Sequence, residues 1–207
     1  MVELHLENLG KSFGKRAVFR GVWASLRTGE TLVVTGHNGS GKSTLLSVTA
    51  GLVGADTGRV RCLVDGREIS ADERRQRVGL VAPDLILYPE LTALENLEFF
   101  ARVRGLPWTA PAGAALLEQV GLGGRGPDQV GTFSSGMRVR LKYAVALQPE
   151  PRFLLLDEPT AMLDTGGAAI VEQVIAGQRS RGVLVLATND PRETRHGDLF
   201  LELGPQA

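Results

Sequence analysis

The segment GHNGSGKST, residues 36–44, places three glycines and a lysine directly after a short apolar run. It matches the pattern G-x-x-x-x-G-K-[ST] over residues 36–43. Glycines allow successive amide N–H groups to turn towards one anion without a Cβ clash. A helix that starts near Lys42 adds the positive end of its dipole. The segment therefore predicts a phosphate-binding loop between a strand and a helix.

Each position of this loop has an expected role in nucleotide binding. Lys42 can reach the β- and γ-phosphates, and the Ser43 hydroxyl can bind Mg²⁺. His37 occupies a variable position, which tolerates many side chains because the backbone makes the contacts. The predicted nucleotide-binding set in the loop is Gly36, His37, Asn38, Gly39, Ser40, Gly41, Lys42, Ser43 and Thr44.

Composition limits the classes of protein to which the chain can belong. Its 207 residues carry 23 basic and 23 acidic side chains, so no overall positive charge attracts nucleic acid, and none is expected as a partner. The single cysteine, Cys62, excludes an internal disulfide framework and is interpreted as a small strand residue. We see no secretory signal and no apolar run near the roughly 18 residues that span a bilayer. A role at a membrane would therefore act through a partner.

Hydrophobic patterns predict an α/β protein. Apolar runs predict strands at residues 2–6, 31–35, 60–64, 78–82, 153–157, 183–188 and 199–203. Helical patterns cover residues 42–50, 92–103, 168–177 and the segment from just after Ser134 to about 147. Residues 107–128 are rich in Gly, Pro and Ala, and we interpret them as a loop-rich part of an inserted helical region.

The sequence FLLLDEPTAMLD, residues 153–164, is the second chemical motif. Its apolar strand ends in Asp157, which would hold Mg²⁺ at the carboxyl end of the sheet. Glu158 is expected on the opposite side of the strand direction, where it could polarise an attacking water. The alternative is a solvated acidic turn. The third motif is FSSGMRVRLKYA, residues 133–144, where Ser134 and Gly136 start a helix and could bind a phosphate or form an ordinary N-cap.

The order of these three motifs resembles the ATP-binding cassette (ABC) ATPases, and the resemblance covers essentially the whole chain. It extends to KSFGKRAVFRGV at 11–22, GLVGADTGRV at 51–60 and YPELTALENL at 88–97. It implies a P-loop NTPase core with an antiparallel β subdomain and an inserted α-helical subdomain. Residues 1–207 would form one ABC ATPase domain, with the core at about 1–82 and 150–207 and the helical insert at about 84–147.

The resemblance also implies ATP and Mg²⁺ as ligands and a second ABC ATPase subunit as partner. Phe13 would stack on adenine, and Asp164 would lie in the loop that links two nucleotide sites. Two ATP molecules would join a head-to-tail dimer, which we expect to be a homodimer. The part that contacts the second subunit's nucleotide is the signature, formed by Ser134, Ser135, Gly136 and Met137.

A membrane-spanning transporter subunit is the other implied partner, which places the chain at the cytoplasmic face of the cell membrane as a peripheral protein. This partner would dock around residues 84–100. The candidate exposed anchors, some of which could instead pack into the core, are Leu85, Ile86, Leu87 and Tyr88.

The chain departs from the family pattern at three places. Pro83 stands where the family has a glutamine that senses Mg²⁺ and water, and Asp84 follows it. Asn189 replaces a histidine and cannot carry a positive charge. The signature reads FSSGM where LSGGQ is usual. With Glu158 and Asn189 as the catalytic pair, we expect secure Mg-ATP binding and slow hydrolysis.

Three functions remain open at this stage. The first is the ATP-binding subunit of a membrane transporter. Residues 91–105 resemble the small ATPases of haem export and cytochrome c maturation, and multidrug or lipid exporters are equally compatible with most residues. The second is a weakly hydrolysing ATP-dependent clamp or scaffold that regulates a partner complex, which Pro83 and Asn189 favour. The third is a chromosome or translation ATPase of the same superfamily, but we see none of the coiled coils, tandem cassettes or basic extensions typical of that class.

Overall fold

The computed structural model describes residues 1–204, which form an antiparallel sheet, a parallel sheet and the helices packed around them. The strands are β1 Val2–Phe13, β2 Arg16–Arg27, β3 Thr31–Thr35, β4 Thr57–Val64, β5 Arg67–Glu68, β6 Val78–Val81, β7 Phe153–Asp157, β8 Val183–Ala187 and β9 Leu199–Glu202. The α-helices are α1 Lys42–Ala50, α2 Ala71–Arg77, α3 Ala93–Val103, α4 Ala110–Gln119, α5 Ser135–Leu147 and α6 Thr165–Arg179. Two 3₁₀-helices cover Val130–Thr132 and Glu193–His196.

The parallel sheet has the strand order β6-β7-β8-β3-β9 and determines where the chemical motifs meet. Strands β7 and β8 are buried at every residue, as their continuous apolar runs predicted. The carboxyl ends of parallel strands lie at one edge of a sheet. The phosphate loop after β3, the acidic motif at the end of β7 and Asn189 after β8 therefore share that edge. The α/β prediction is confirmed.

The antiparallel sheet has the order β2-β1-β4-β5 and differs from the predicted strands. The first strand runs to Phe13 and not to residue 6, and β2 was not predicted as a strand. The β1–β2 register shifts between Leu6 and Leu9, where Asn8 has a φ of 53°. Such bulges interrupt the alternation of apolar and polar residues on which strand prediction depends.

Helices α3, α4 and α5 lie between β6 and β7 in the chain and share an apolar core with the parallel sheet. The predicted capping box is confirmed: the Thr92 hydroxyl accepts from the Glu95 N–H at 3.2 Å, and a Glu95 carboxylate oxygen accepts from the Thr92 N–H at 2.8 Å. In the described chain, residues 1–204, no helix is both long enough and apolar enough to cross a membrane.

Two further elements escaped the sequence patterns. Residues 107–128 contain a complete helix, α4, and are not merely loop-rich: Thr109 caps it, and Pro111 occupies its first turn, where proline is favourable. Gly113 lies so close to the Trp108 ring that a Cβ would come within 2.2 Å of it, so the glycine serves packing. Helix α2 has no buried residue and therefore no hydrophobic periodicity to detect.

Candidate active site

The backbone of the phosphate loop has the conformations that only glycine adopts without strain. The φ angles are 142° at Gly36, 82° at Gly39 and 102° at Gly41. A Cβ at position 36 would come within 2.4 Å of the Leu203 carbonyl oxygen, and a Cβ at position 41 within 2.4 Å of Val18 Cγ1. The loop is therefore fixed both by its own dihedral angles and by the strands behind it.

Lys42 lies at the centre of the site with its side chain only 6% exposed. Its Nζ donates to the Gly36 carbonyl at 2.9 Å and to Asn189 Oδ1 at 3.1 Å. Glu158 Oε1 lies 3.6 Å from the same nitrogen. The structure thus brings the loop lysine together with both predicted catalytic residues, although they are separated by more than 100 positions in the chain.

Asn189 connects the ends of three strands. Its Nδ2 donates to Asn38 Oδ1 at 2.6 Å, and its backbone N–H donates to Glu158 Oε2 at 3.3 Å. Together with the bond from Lys42, these contacts use the carbonyl oxygen and one amide hydrogen of the Asn189 side chain. The side chain is therefore already bonded to the loop.

Asp157 is the buried member of the acidic pair. Burial raises the pKa of its carboxyl above the ordinary 3.8, and the negative charge of Asp84 adds to the rise. Hydrogen bonding by Ser43 and the positive charge of Lys42 act in the opposite direction. The two predicted Mg²⁺ ligands, Ser43 and Asp157, line the same cavity. Carboxylate and hydroxyl oxygens are ligands that suit Mg²⁺.

Glu158 lies just beyond the end of β7 with a φ of 48°, and its N–H donates to the Ala187 carbonyl at 2.8 Å. The expectation that it points to the side opposite Asp157 is wrong, because the left-handed backbone ends the strand alternation. Both carboxylates line the same cavity.

That cavity has a volume of about 920 Å³ and contains the predicted nucleotide-binding residues from position 37 to position 44. Phe13 lies at its edge, 57% exposed, with Lys11 Nζ at 5.4 Å from the ring centroid. Pro83 lines the cavity, whereas Asp84 lines a different one. Sequence reasoning missed three cations in the wall, which are Lys15, Arg16 and Arg20. The available signal was the spacing of Arg16, Val18 and Arg20, which occupy every second position of β2 and so share one face of that strand.

The residues present fit a magnesium nucleotide. Ser40 Oγ is buried and has no hydrogen-bond partner within residues 1–204. Because buried polar groups are normally bonded, this hydroxyl fits a polar ligand atom at the loop. The N-terminus of α1 and Lys42 supply positive charge to the same place. Ser43 and Asp157 supply oxygen ligands beside it. This arrangement can hold phosphate oxygens against the loop and a divalent cation beside them.

The signature lies outside this cavity. The Ser134 hydroxyl caps α5 by accepting from the Met137 N–H at 3.2 Å, and both Ser134 and Ser135 are exposed. A Cβ at Gly136 would lie 3.4 Å from the Met162 carbonyl oxygen, so the signature adjoins the loop after β7. Asp164 ends that loop and caps α6, accepting from the Gly167 N–H at 2.7 Å.

The candidate docking anchors divide into two pairs. Leu85 and Leu87 pack against the helical core, whereas Ile86 is 76% and Tyr88 39% exposed. Ile86 lies at the edge of a second cavity of about 770 Å³. That cavity is lined by Leu52, Asp72, Arg75, Asp84, Phe100, Val103 and Arg104 among others.

Comparisons with known proteins agree with one another. A family model described as "ABC transporter" matches residues 19–161. The linearmycin resistance ATP-binding protein LnrL of Bacillus subtilis (strain 168) is 36% identical over 190 residues, which is 90% of this chain and 60% of that protein. The lantibiotic transport ATP-binding protein SrtF of Streptococcus pyogenes is 33% identical over 186 residues, 90% of this chain and 79% of that one.

Two solved structures have the same architecture. One is described as the ATP binding subunit of an ABC transporter, with a TM-score of 0.84, 25% identity and coverage of 99% of this chain and 88% of the other. The other is a bacterial ABC transporter cassette solved as a dimer, with a TM-score of 0.84, 25% identity and coverage of 98% and 94%. The chain spans only 60% of the length of LnrL.

Proposed function

The chain belongs to the ABC transporter family, and from this premise we propose that it binds Mg-ATP and hydrolyses it slowly as the ATP-binding part of a transporter. One observation carries the proposal: Lys42 Nζ lies 3.1 Å from Asn189 Oδ1 and 3.6 Å from Glu158 Oε1, inside the cavity that also contains Asp157. A phosphate-binding cation, a carboxylate base and a metal-binding carboxylate therefore meet at one point.

The proposed roles follow from this geometry. The loop amides and Lys42 bind the phosphates, and Phe13 stacks on adenine. Ser43 and Asp157 would hold Mg²⁺, which neutralises phosphate charge when bound. Glu158 accepts a proton from the attacking water.

Slow turnover is part of the proposal. Pro83 lines the cavity but has no N–H and no polar side chain, so it cannot orient water or a metal ligand. Asn189 offers only neutral hydrogen bonds, which are roughly half as strong as charge-assisted ones. Removing one donor that acts on developing charge typically costs roughly 2.7–4 kcal/mol of activation free energy.

We also place the physiological unit as a head-to-tail homodimer. The exposed Ser134 and Ser135 at the start of α5 present a hydroxyl and the positive end of a helix dipole to a phosphate held by another subunit. Met162, 72% exposed, adjoins Gly136 of the same signature. The solved cassette at 25% identity, whose structure is a dimer, supports a dimeric assembly.

A membrane-spanning subunit is the proposed second partner, docked from the cytoplasmic face on the second cavity. Leu52, Ile86 and Val103 line it and are 63%, 76% and 68% exposed. Large exposed apolar side chains around one groove are typical of a protein interface. The groove lies where the helical insert, residues 84–147, meets the core.

The names of LnrL and SrtF refer to linearmycin resistance and lantibiotic transport. They give no support to the resemblance between residues 91–105 and the haem-export and cytochrome c maturation ATPases, which stays a prediction.

An ATP-dependent clamp is the second candidate function. It is favoured by the bonds that Asn189 makes with Lys42 and Asn38, which use its carbonyl oxygen and one amide hydrogen and so hold the side chain to the loop. In that case ATP would close the dimer and rarely be hydrolysed.

The experiment combines Mg-ATP titration, phosphate release and sedimentation of wild type and Glu158→Gln. We expect saturable binding by both, ATP-dependent dimerisation, and turnover in wild type alone. Absence of saturable binding overturns the proposal. Turnover stimulated by a membrane-spanning partner supports the transporter, and dimerisation without turnover supports the clamp.

A further inference from the structure

The peptide group between Pro159 and Thr160 is held on both sides by buried side chains. Tyr143 Oη donates to the Pro159 carbonyl oxygen at 2.8 Å. Glu193 Oε1 accepts from the Thr160 N–H at 3.1 Å and also from the Thr160 hydroxyl. Since the carbonyl and the N–H belong to one planar unit, the two contacts fix the orientation of that plane. We name the two side chains the peptide clamp.

The peptide clamp is costly to bury. Tyr143 is fully buried and Glu193 is 6% exposed. Glu193 Oε2 is buried without a hydrogen-bond partner in the part of the chain that the structure describes. Burial, and then the charge of Glu193, holds the pKa of Tyr143 well above its ordinary value of 10.0. Apolar side chains would fill this space at lower cost, so the polar pair indicates a requirement other than packing.

The clamped peptide lies in a strained part of the chain. Glu158 precedes it with a φ of 48°, and Met162 follows it with a φ of 66°. Left-handed backbone is unfavourable for residues with a Cβ and persists where the surroundings fix it. The Ala161 N–H also bonds to the Glu158 carbonyl at 3.0 Å, so the direction of Glu158 depends on the turn that follows it.

The peptide clamp also connects three parts of the proposed site. Tyr143 lies on α5, whose first turn is the signature. Glu193 opens the 3₁₀-helix four positions after Asn189. Tyr143 therefore links the loop after β7 to the helix that carries the signature, and Glu193 links it to the segment that follows Asn189.

We propose that Tyr143 and Glu193 are positioning residues that orient the Glu158 carboxylate by fixing the Pro159–Thr160 peptide, and that they thereby control kcat and not nucleotide affinity. This inference rests on the proposed function. Neither side chain touches the nucleotide cavity. The contact that connects them to the catalytic residues is the Pro159–Thr160 peptide, which directly follows Glu158.

Three variants test the peptide clamp. Tyr143→Phe removes only the donor, Glu193→Ala removes the acceptor, and Glu193→Gln retains a carbonyl acceptor. We expect kcat for ATP to fall about tenfold or more in Tyr143→Phe and Glu193→Ala, because small displacements of a catalytic group cost that much. Glu193→Gln should recover most of the rate. The affinity for Mg-ATP should change less than about twofold in all three, because none of the changes removes a contact with the bound nucleotide.

Glu172→Ala is the matched control. The Glu172 carboxylate bonds to Arg195 and His196, at 2.6 and 3.2 Å, and so contacts the same 3₁₀-helix without reaching the peptide. It should keep the wild-type kcat. Hydrogen exchange of the Thr160 amide provides a readout apart from activity and should be faster in Glu193→Ala than in wild type and Glu172→Ala.

The outcomes separate the two proposals. Wild-type kcat in Tyr143→Phe and Glu193→Ala, with Glu158→Gln inactive, overturns the peptide clamp alone. Equal losses of affinity and kcat overturn it as well, since they indicate a merely structural role. Equal turnover by wild type and Glu158→Gln overturns the proposed function and the peptide clamp with it. If Glu193→Ala fails to fold, Tyr143→Phe decides.

Discussion

The side-chain carbonyl of Asn189 accepts a hydrogen bond of 3.1 Å from Lys42 Nζ, which ties a neutral amide at the end of β8 to the only lysine of the phosphate loop. The amide nitrogen of Asn189 is bonded to Asn38 at 2.6 Å. A nucleotide that enters this site has to share Lys42 with Asn189. Because of this contact, we expect the side chains of the site to be well ordered and the hydrolysis of ATP to be slow.

Asn189→His should accelerate hydrolysis about tenfold, because an imidazole can carry a proton and make charge-assisted bonds to developing phosphate charge. The gain should be largest near and below pH 6.5, where unperturbed histidine becomes charged. Steady-state phosphate release measures it, with Glu158→Gln as the background. Unchanged turnover in Asn189→His, with wild type already at ordinary enzyme rates, contradicts the expectation of slow hydrolysis.

Phe13→Ala should weaken Mg-ATP binding by roughly three- to tenfold, since aromatic stacking contributes about 0.5–1.5 kcal/mol beyond area burial. Binding of inorganic tripolyphosphate should not change, because it has no base to stack. Calorimetric titration measures both ligands. Phe200→Ala is the control: Phe200 is 62% exposed, close to the 57% of Phe13, but lies on β9 outside the cavity. Equal effects on both ligands would exclude the stacking role.

Gly41→Ala should lower the free energy of unfolding more than Gly39→Ala. Both positions have left-handed backbone, which costs about 1–2 kcal/mol with a Cβ. A Cβ at Gly41 would also meet Val18 at 2.4 Å, whereas nothing lies within 4 Å of one at Gly39. Overpacking adds roughly 1–3 kcal/mol. Urea unfolding measures the difference, and equal losses would show that the Val18 contact is not rigid.

Asp157→Asn should stabilise the protein in the absence of nucleotide. Burial raises the pKa of Asp157 above 3.8, so between 3.8 and the raised value the native state binds more protons than the unfolded state. The free energy of unfolding therefore falls as pH rises through that window, and the ionised carboxylate destabilises the fold at neutral pH. Neutral asparagine removes this penalty. Each kcal/mol should raise Tm by about 2–4 °C, whereas stabilisation by Mg-ATP should be lost.

Asp198→Asn is the contrasting control for that measurement. Burial alone would raise the pKa of Asp198, but its bonds to Arg179 and to the Thr31 N–H lower it overall. A lowered pKa stabilises the native state above 3.8 and the benefit is lost as pH falls. Asp198→Asn should therefore lower Tm at neutral pH. A rise in both variants would indicate a general effect of removing acidic charge.

The local motifs could be predicted from sequence because their geometry is set by neighbouring residues. The phosphate loop needs glycine at Gly36, Gly39 and Gly41 for dihedral reasons that act within a few bonds. The cap that starts α3 likewise joins residues three positions apart. Residues 153–156 of β7 and all of β8 are apolar because both faces of these strands are covered, which can be read without knowledge of their neighbours.

Only the tertiary structure decided which distant side chains meet. It brought Arg16 and Arg20 of an unpredicted strand into the cavity wall. The left-handed backbone of Glu158 ends the alternation of the strand, so that Glu158 lines the same cavity as Asp157. The tertiary structure also joined Glu193 to Thr160, 33 positions away. At these places, burial and long-range contacts compensate for the cost of strained backbone and buried charge. The energies of such contacts depend on how distant segments pack, which no short stretch of sequence contains.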